Sequence, residues 1–321
     1  MINYKNERIQ NKIKEELGDE ILDALANKSV LEIIVNPDAT LWVDTFEGMK
    51  KVKKLDQGKV NNLIKTIGSI AGEPVNKDNP EISAELKLLV NEEYRLYRFE
   101  GIISPITSGP TITIRKPSEV IKTMSDYEDD QIMTTDQGEK LRKMIEEKKS
   151  ILVVGATGSG KTTFCNALLD HMAKKAKNER VIILQDTIEL QCSLENKVEL
   201  KTSENADMSK LLKYTMRLRP DRIIVGEVRG KEANALIKAW NTGHPGGVST
   251  IHANSAQKGL MRIEQLIEEG GVTPVPSAIA EAINIVVFIK KHSNKAGRIV
   301  SEIFIVKSYD KVAGKYQFEE I

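Results

Sequence analysis

One stretch of eight residues constrains this chain more than any other: Gly155-Ala156-Thr157-Gly158-Ser159-Gly160-Lys161-Thr162. It matches G-x-x-x-x-G-K-[ST] at every fixed position. The apolar run ILVV precedes it and a helical pattern to about residue 176 follows, so the motif sits where a strand turns into a helix. The glycines let backbone N–H groups turn inward around a phosphate, and the helix start adds the positive end of its dipole. Lys161 is placed to reach β- and γ-phosphates, the Thr162 hydroxyl to coordinate Mg²⁺, and Thr163 to meet the α-phosphate. The candidate nucleotide contacts are therefore Gly155, Thr157, Gly158, Ser159, Gly160, Lys161, Thr162 and Thr163, and the expected ligands are ATP and Mg²⁺.

The 321 residues suggest two domains. Residues 9–26 carry Ile9, Ile13, Leu17, Ile21, Leu22 and Leu25 at helical spacing. In LEIIVNPDATLWVD, two β-rich runs flank turn chemistry at 36–39, which predicts a hairpin. Residues 60–71 read as a helix, and YRLYRFEG and TITIRKP as strands on either side of a loop at 104–110. This half lacks the regular alternation of a parallel sheet. The segment 116–135 is polar and weakly periodic. We read a mixed α+β domain over 1–118, a linker over 119–135, and an α/β domain over 136–321. In that last part the apolar strands ILVV, VIILQ, RIIV and VSTI alternate with helical segments, the pattern of a mainly parallel sheet covered on both faces.

Three further clusters carry chemistry. RIIVGEVRG ends its strand in Gly226-Glu227, a carboxylate one residue later than an ordinary P-loop protein places its Asp. DTIEL supplies Asp186 and Glu189 after another strand. Open α/β sheets place ligands at strand C-terminal ends, so one acid could hold Mg²⁺ through water while another orients or deprotonates the attacking water. For Asp186, capping the following turn is an equally ordinary role. In TGHPGGVSTIHANSA, His244 and His252 are two of four histidines in the chain, and both are candidate γ-phosphate sensors. Arg98, Arg115, Arg217 and Arg219 could neutralise phosphate charge, although an exposed strand arginine is ordinarily a solvated face. Met208, Met216, Trp240 and Phe288 read as core, and Cys165 and Cys192 as structural thiols.

Taken in order, GATGSGKTT, LQDTIEL, MRLRPDRIIVGEVRG and TGHPGGVSTIHANSA resemble the Walker A, Asp, variant Walker B and His boxes of the secretion ATPase superfamily. Those proteins are the motors of type II secretion, type IV pili and type IV secretion. NPDATLWVD, RFEG and TITIRKPS extend the likeness toward the conjugative, type IV secretion branch. The chain lacks the paired CxxC module of many type II members. It also departs at LKLLVNEEYRLYRFEG, where relatives often carry a Pro- and Gly-containing turn, and this affects the register of Arg98. The resemblance implies a RecA-like ATPase domain, with nucleotide held between it and the first domain. It also implies a homo-hexamer peripherally attached to the cytoplasmic face of the inner membrane, beside inner-membrane components of a secretion or conjugation machine. By matching positions it makes Glu189 the catalytic base, Glu227 an aid to metal or water (with Thr162 as the other metal contact), and His252 the γ-phosphate sensor. Lys161 contributes charge, and Arg98 and Arg115 reach toward nucleotide.

Two other motors or machines share the P-loop. A pilus retraction motor is the near alternative, and a DNA-handling RecA-like ATPase the distant one. Lys plus Arg count 47 against 46 Asp plus Glu, and aromatics are 5 %. That balance argues against direct DNA binding, which uses a basic excess and stacking rings. A nucleotide-dependent scaffold is a further alternative, opposed by the intact Lys161, Glu189 and Glu227. No apolar run approaches the roughly 20 residues of a membrane span, and the N-terminus has no signal-peptide core.

Overall fold

The apolar spacing of residues 9–26 becomes α1 (Glu7–Ala26), which buries Ile13, Leu17, Ile21 and Leu25. It is interrupted at Gly18, whose φ of 71° and ψ of 166° leave the helical region, as glycine can without a Cβ clash. The computed structural model describes residues 7–45, 47–117, 122–203 and 205–321, and these fall into two units, Met1–Glu119 and Val120–Ile321.

In the first unit the expected hairpin joins β1 (Val30–Val35) to β2 (Thr40–Thr45). Its turn is held by Ala39 N–H donating to Asn36 O at 2.8 Å and Thr40 N–H to Asp38 Oδ1 at 3.0 Å. Then come β3 (Gly48–Lys54), α2 (Gln57–Ala71), β4 (Glu81–Val90), β5 (Glu93–Ile102) and β6 (Thr111–Arg115). The strands form one antiparallel sheet in the order β3-β2-β1-β6-β5-β4. Alternate residues such as Ile33, Val35, Ile112 and Ile114 bury against α1 and α2. LKLLVNEEYRLYRFEG is a tight β4–β5 hairpin turning at Asn91 and Glu92, with φ of 50° and 66°. Both residues take the positive φ that a two-residue hairpin turn needs, without glycine to announce it.

The second unit runs α3 (Met124–Asp129), α4 (Thr135–Glu146), β7 (Ile151–Val154), α5 (Lys161–Lys175), β8 (Val181–Gln185) and β9 (Lys197–Lys201). It continues through α6 (Met208–Thr215), β10 (Arg222–Val225), α7 (Glu232–Asn241), β11 (Val248–Ile251), α8 (Ala256–Glu269) and α9 (Pro276–Ala282). It ends in β12 (Ile285–Lys291), β13 (Arg298–Asp310) and β14 (Lys315–Glu320). The sheet order is β14-β13-β12-β7-β11-β10-β8-β9. From β12 to β9 the pairs are parallel; β13 and β14 add an antiparallel edge. Leu152 and Val154 face a core with α6 to α9, while Ile151 and Val153 face one with α3, α4 and α5. Burial on both faces explains why these strands read as unbroken apolar runs.

The stretch 119–135, expected to be a linker, is corrected over its described part. Residues 118–121 lie outside the described residues, but 122–135 pack into the second unit. Met124, Tyr127, Ile132 and Met133 are buried in the α5-side core, with Tyr127 edge-on to Phe164 at 5.1 Å between ring centroids. Thr123 with Asp126 and Thr134 with Gln137 form capping boxes at the starts of α3 and α4. A six-residue helix is too short to show a 3.6-residue period, so its few apolar anchors passed for noise. Met216 is a second correction. It is 44 % exposed because it caps α6 on the solvent side, whereas Met208, Trp240 and Phe288 are core. Cys165 and Cys192 are buried free thiols, and burial pushes the Cys165 thiol up to about 12.

Candidate nucleotide-binding site

Gly155-Thr162 leaves the C-terminal end of β7, in the interior of the sheet, and enters α5. Gly158 and Gly160 take φ of 70° and 98°, which a side chain would oppose. Gly155 is required for space, since a Cβ there would stand 2.4 Å from Ile289 O and 2.5 Å from Ser159 Oγ. Gly160 caps α5 without a side-chain hydrogen bond, so the first N–H groups of the helix are left to an outside acceptor. Thr162 and Thr163 are half-exposed at this end, whereas Ser159 is 1 % exposed and its hydroxyl has no hydrogen-bond partner. A buried donor without an acceptor inside a ring of N–H groups fits an anionic ligand.

Lys161 is buried and turned back across the loop. Its Nζ donates to Gly155 O at 3.0 Å and Ala156 O at 3.1 Å and lies 3.2 Å from His252 Nδ1. His252 follows β11, and its Nε2 lies 2.7 Å from Glu227 Oε1, beyond the end of β10. Glu227 Oε1 accepts no hydrogen bond of good geometry, so this is a close approach without an aligned donor. Burial, then the Lys161 charge, push the imidazole below its usual 6.5 in spite of Glu227. A neutral ring that accepts from the Lys161 ammonium at Nδ1 carries its proton on Nε2, the nitrogen nearer Glu227. The other Glu227 oxygen accepts from Arg229 Nε at 2.8 Å. Arg229 also feels Asp186 and Glu189, with Asp186 Oδ2 3.8 Å from its Nη1. Glu189 is held by its backbone: its N–H donates to Gln185 Oε1 at 2.9 Å, and its carbonyl accepts from Asn166 of α5 at 3.2 Å. No three His, Cys, Asp or Glu side chains among the described residues gather to hold a metal.

A family described as type II/IV secretion system protein matches residues 15–313. The chain belongs to that family. Given its phosphate loop, it is a secretion ATPase. It is 40 % identical over 303 residues to conjugal transfer protein TrbB of Rhizobium radiobacter, covering 94 % of this chain and 91 % of that protein. The type IV secretion system protein VirB11 of Bartonella quintana is 28 % identical, covering 92 % and 89 %. Two solved structures share the fold: the Legionella pneumophila ATPase DotB, with a TM-score of 0.65, 18 % identity and coverage of 94 % and 82 %, and the pilus retraction motor PilT with bound ADP, with 0.61, 17 %, 94 % and 81 %.

Within this secretion ATPase the structure gathers Lys161, His252, Glu227, Asp186 and Glu189 at one end of the parallel sheet. His244 is not among them. It precedes β11, at the opposite end of the sheet from His252, where its Nδ1 lies 2.9 Å from Pro220 O. Arg217 and Arg219 likewise precede β10 and sit at that far end. Arg98 and Arg115 belong to the first unit and are cross-strand partners. Glu32 pairs with Arg115 and Glu85 with Arg98, so an acid flanks each arginine in one row across four strands. Sequence reasoning missed Arg229, Gln185 and Asn166, whose roles arise from contacts between segments. The one signal was VRG directly after Glu227. Gly226 has room for a methyl group, whose nearest neighbour would be Leu184 O at 3.5 Å, so packing does not demand glycine there.

Proposed function

We propose that this chain is a homo-hexameric motor that hydrolyses ATP to drive conjugative transfer or another type IV secretion step, in the cytoplasm beside inner-membrane components. One observation carries the reading: the phosphate-loop lysine lies 3.2 Å from His252 Nδ1, and Nε2 of the same ring lies 2.7 Å from Glu227. With ATP in the loop, its oxygens offer Lys161 stronger acceptors than the two carbonyls it now holds. That frees His252 Nδ1 from Lys161, and the imidazole can report the γ-phosphate to Glu227. Glu189, fixed through Gln185 and Asn166, takes the proton of the attacking water, and Glu227 steadies water or metal. Thr162 and Glu227 would hold Mg²⁺, which would supply positive charge to offset that of the phosphates. Arg98 and Arg115 are assigned to the nucleotide's negative charge. The 40 % identity to a conjugal transfer protein supports the conjugative reading over pilus retraction.

The test is phosphate release by the purified protein and its Lys161→Ala variant. The variant should keep its circular dichroism and lose on the order of 10²-fold or more in rate. Near-parental turnover would sink the reading.

A further inference from the structure

The phosphate loop has a second cationic flank. Strands β12 and β13 form an antiparallel hairpin whose outermost registered pair is Lys291↔Arg298. Directly paired residues project to the same face of a sheet, and like charges so placed repel unless an acid intervenes. Among the described residues neither side chain has an ion-pair partner. Both lie against the loop: Arg298 Nη1 is 2.2 Å from where a Cβ on Gly160 would stand, and Lys291 Nζ is 3.7 Å from that position on Gly158. The connecting turn is fixed by Arg298 N–H donating to Asn294 Oδ1 at 3.0 Å and Asn294 Nδ2 returning to Arg298 O at 2.8 Å. The two cations are therefore presented by a tied turn, and the loop itself leaves no room for a side chain between them and the backbone.

Sheet order decides which part of a nucleotide they can meet. β7 has β11, β10 and β8 on one side and β12 on the other. His252, Glu227, Asp186 and Glu189 all come from the first side, so the reacting γ-phosphate belongs there. Lys291 and Arg298 come from the opposite flank. We propose that Lys291 and Arg298 are a second phosphate-contacting pair, holding the α-phosphate end that ATP and ADP share. The proposal rests on the nucleotide site described above. It gives that site a division of labour: one flank acts on the γ-phosphate, and the other retains the nucleotide after the γ-phosphate has left. The repulsion between the two cations is relieved when an anion lies between them, so binding there is favoured from both sides.

The experiment is equilibrium binding of fluorescent ATP and ADP analogues to the full-length protein, the Lys291→Met, Arg298→Met double variant, and the charge-preserving Lys291→Arg, Arg298→Lys double variant. The methionine variant should bind both nucleotides about tenfold more weakly, by the same factor for each, as befits two partly exposed ion pairs. ADP should leave it faster, and the deficit should shrink at high salt. The charge-preserving variant should recover most of that loss, since a cation remains at each position. Lys291→Met alone, on an exposed side chain, gives a smaller loss of the same kind if the double variant melts early. Parental affinity in the methionine variant overturns the proposal, and so does a loss confined to ATP. A parent that binds neither nucleotide would remove the nucleotide site itself, and this pair with it, whereas a parent that binds and a Lys161→Ala variant that does not leaves the site standing whatever Lys291 and Arg298 do.

Discussion

Glu227 meets His252 on one oxygen and Arg229 on the other, while the backbone of Glu189 is fixed by Gln185 and Asn166. This difference separates the two acids by experiment. Glu189→Gln keeps shape and removes the proposed base, so it should bind Mg-ATP normally and hydrolyse it poorly in single turnover. Glu227→Gln should slow turnover and also disturb His252, because a neutral amide then faces Nε2 in place of the carboxylate. Normal single-turnover hydrolysis by Glu189→Gln would move the base to Glu227. His252 itself has a pH signature. Its folded-state pKa lies below the ordinary 6.5, so the unfolded chain binds the extra proton first as pH falls. Stability present above 6.5 is lost as pH drops through the lowered folded value. Between about pH 7.5 and 5.5, His252→Gln should therefore lose less thermal stability than the parent. Melting curves at the two pH values check this, and parallel losses would mean the imidazole is not perturbed.

At the scale of the element, α3 is the instructive case. Tyr127 is fully buried and packs on Phe164 of α5, the helix that follows the phosphate loop. Tyr127→Ala should cost about 3–5 kcal/mol, as large aromatic truncations in a core do. Its hydroxyl is buried without a partner, so Tyr127→Phe should be neutral or stabilising. Denaturant unfolding of the two variants separates a core helix from a linker, in which neither change would register. The same lesson applies to the β4–β5 hairpin. Asn91 and Glu92 adopt positive φ because strand pairing over ten residues on each side holds them there, and no local turn signature was available to read.

On the scale of the whole molecule, no helix among the described residues is long and apolar enough to cross a membrane. Assembly is the property that the proposed motor needs and a single chain does not display. The mass in solution with a non-hydrolysable ATP analogue should be about six times the 35.8 kDa chain. Light scattering that finds only monomers at micromolar protein with the analogue bound would remove the hexamer, while leaving the nucleotide site intact.

The phosphate loop was legible in the sequence because it works through contiguous backbone. Glycines at 155, 158 and 160 and Lys161 specify their own local geometry, and the flanking apolar strand and helix specify the context. The mixed α+β character of the first domain, the mainly parallel sheet of the second and the acids after β8 and β10 were legible for a related reason, since hydrophobic period and strand ends are local patterns. Tertiary structure alone decided which side chains meet. Strand direction sends His252 to the phosphate-loop end of the sheet and His244, eight residues earlier, to the other. Strand order puts Arg229 among three acids and sets Lys291 and Arg298 against the opposite flank of the loop. Those arrangements depend on pairings between segments tens of residues apart, whose register no local period encodes.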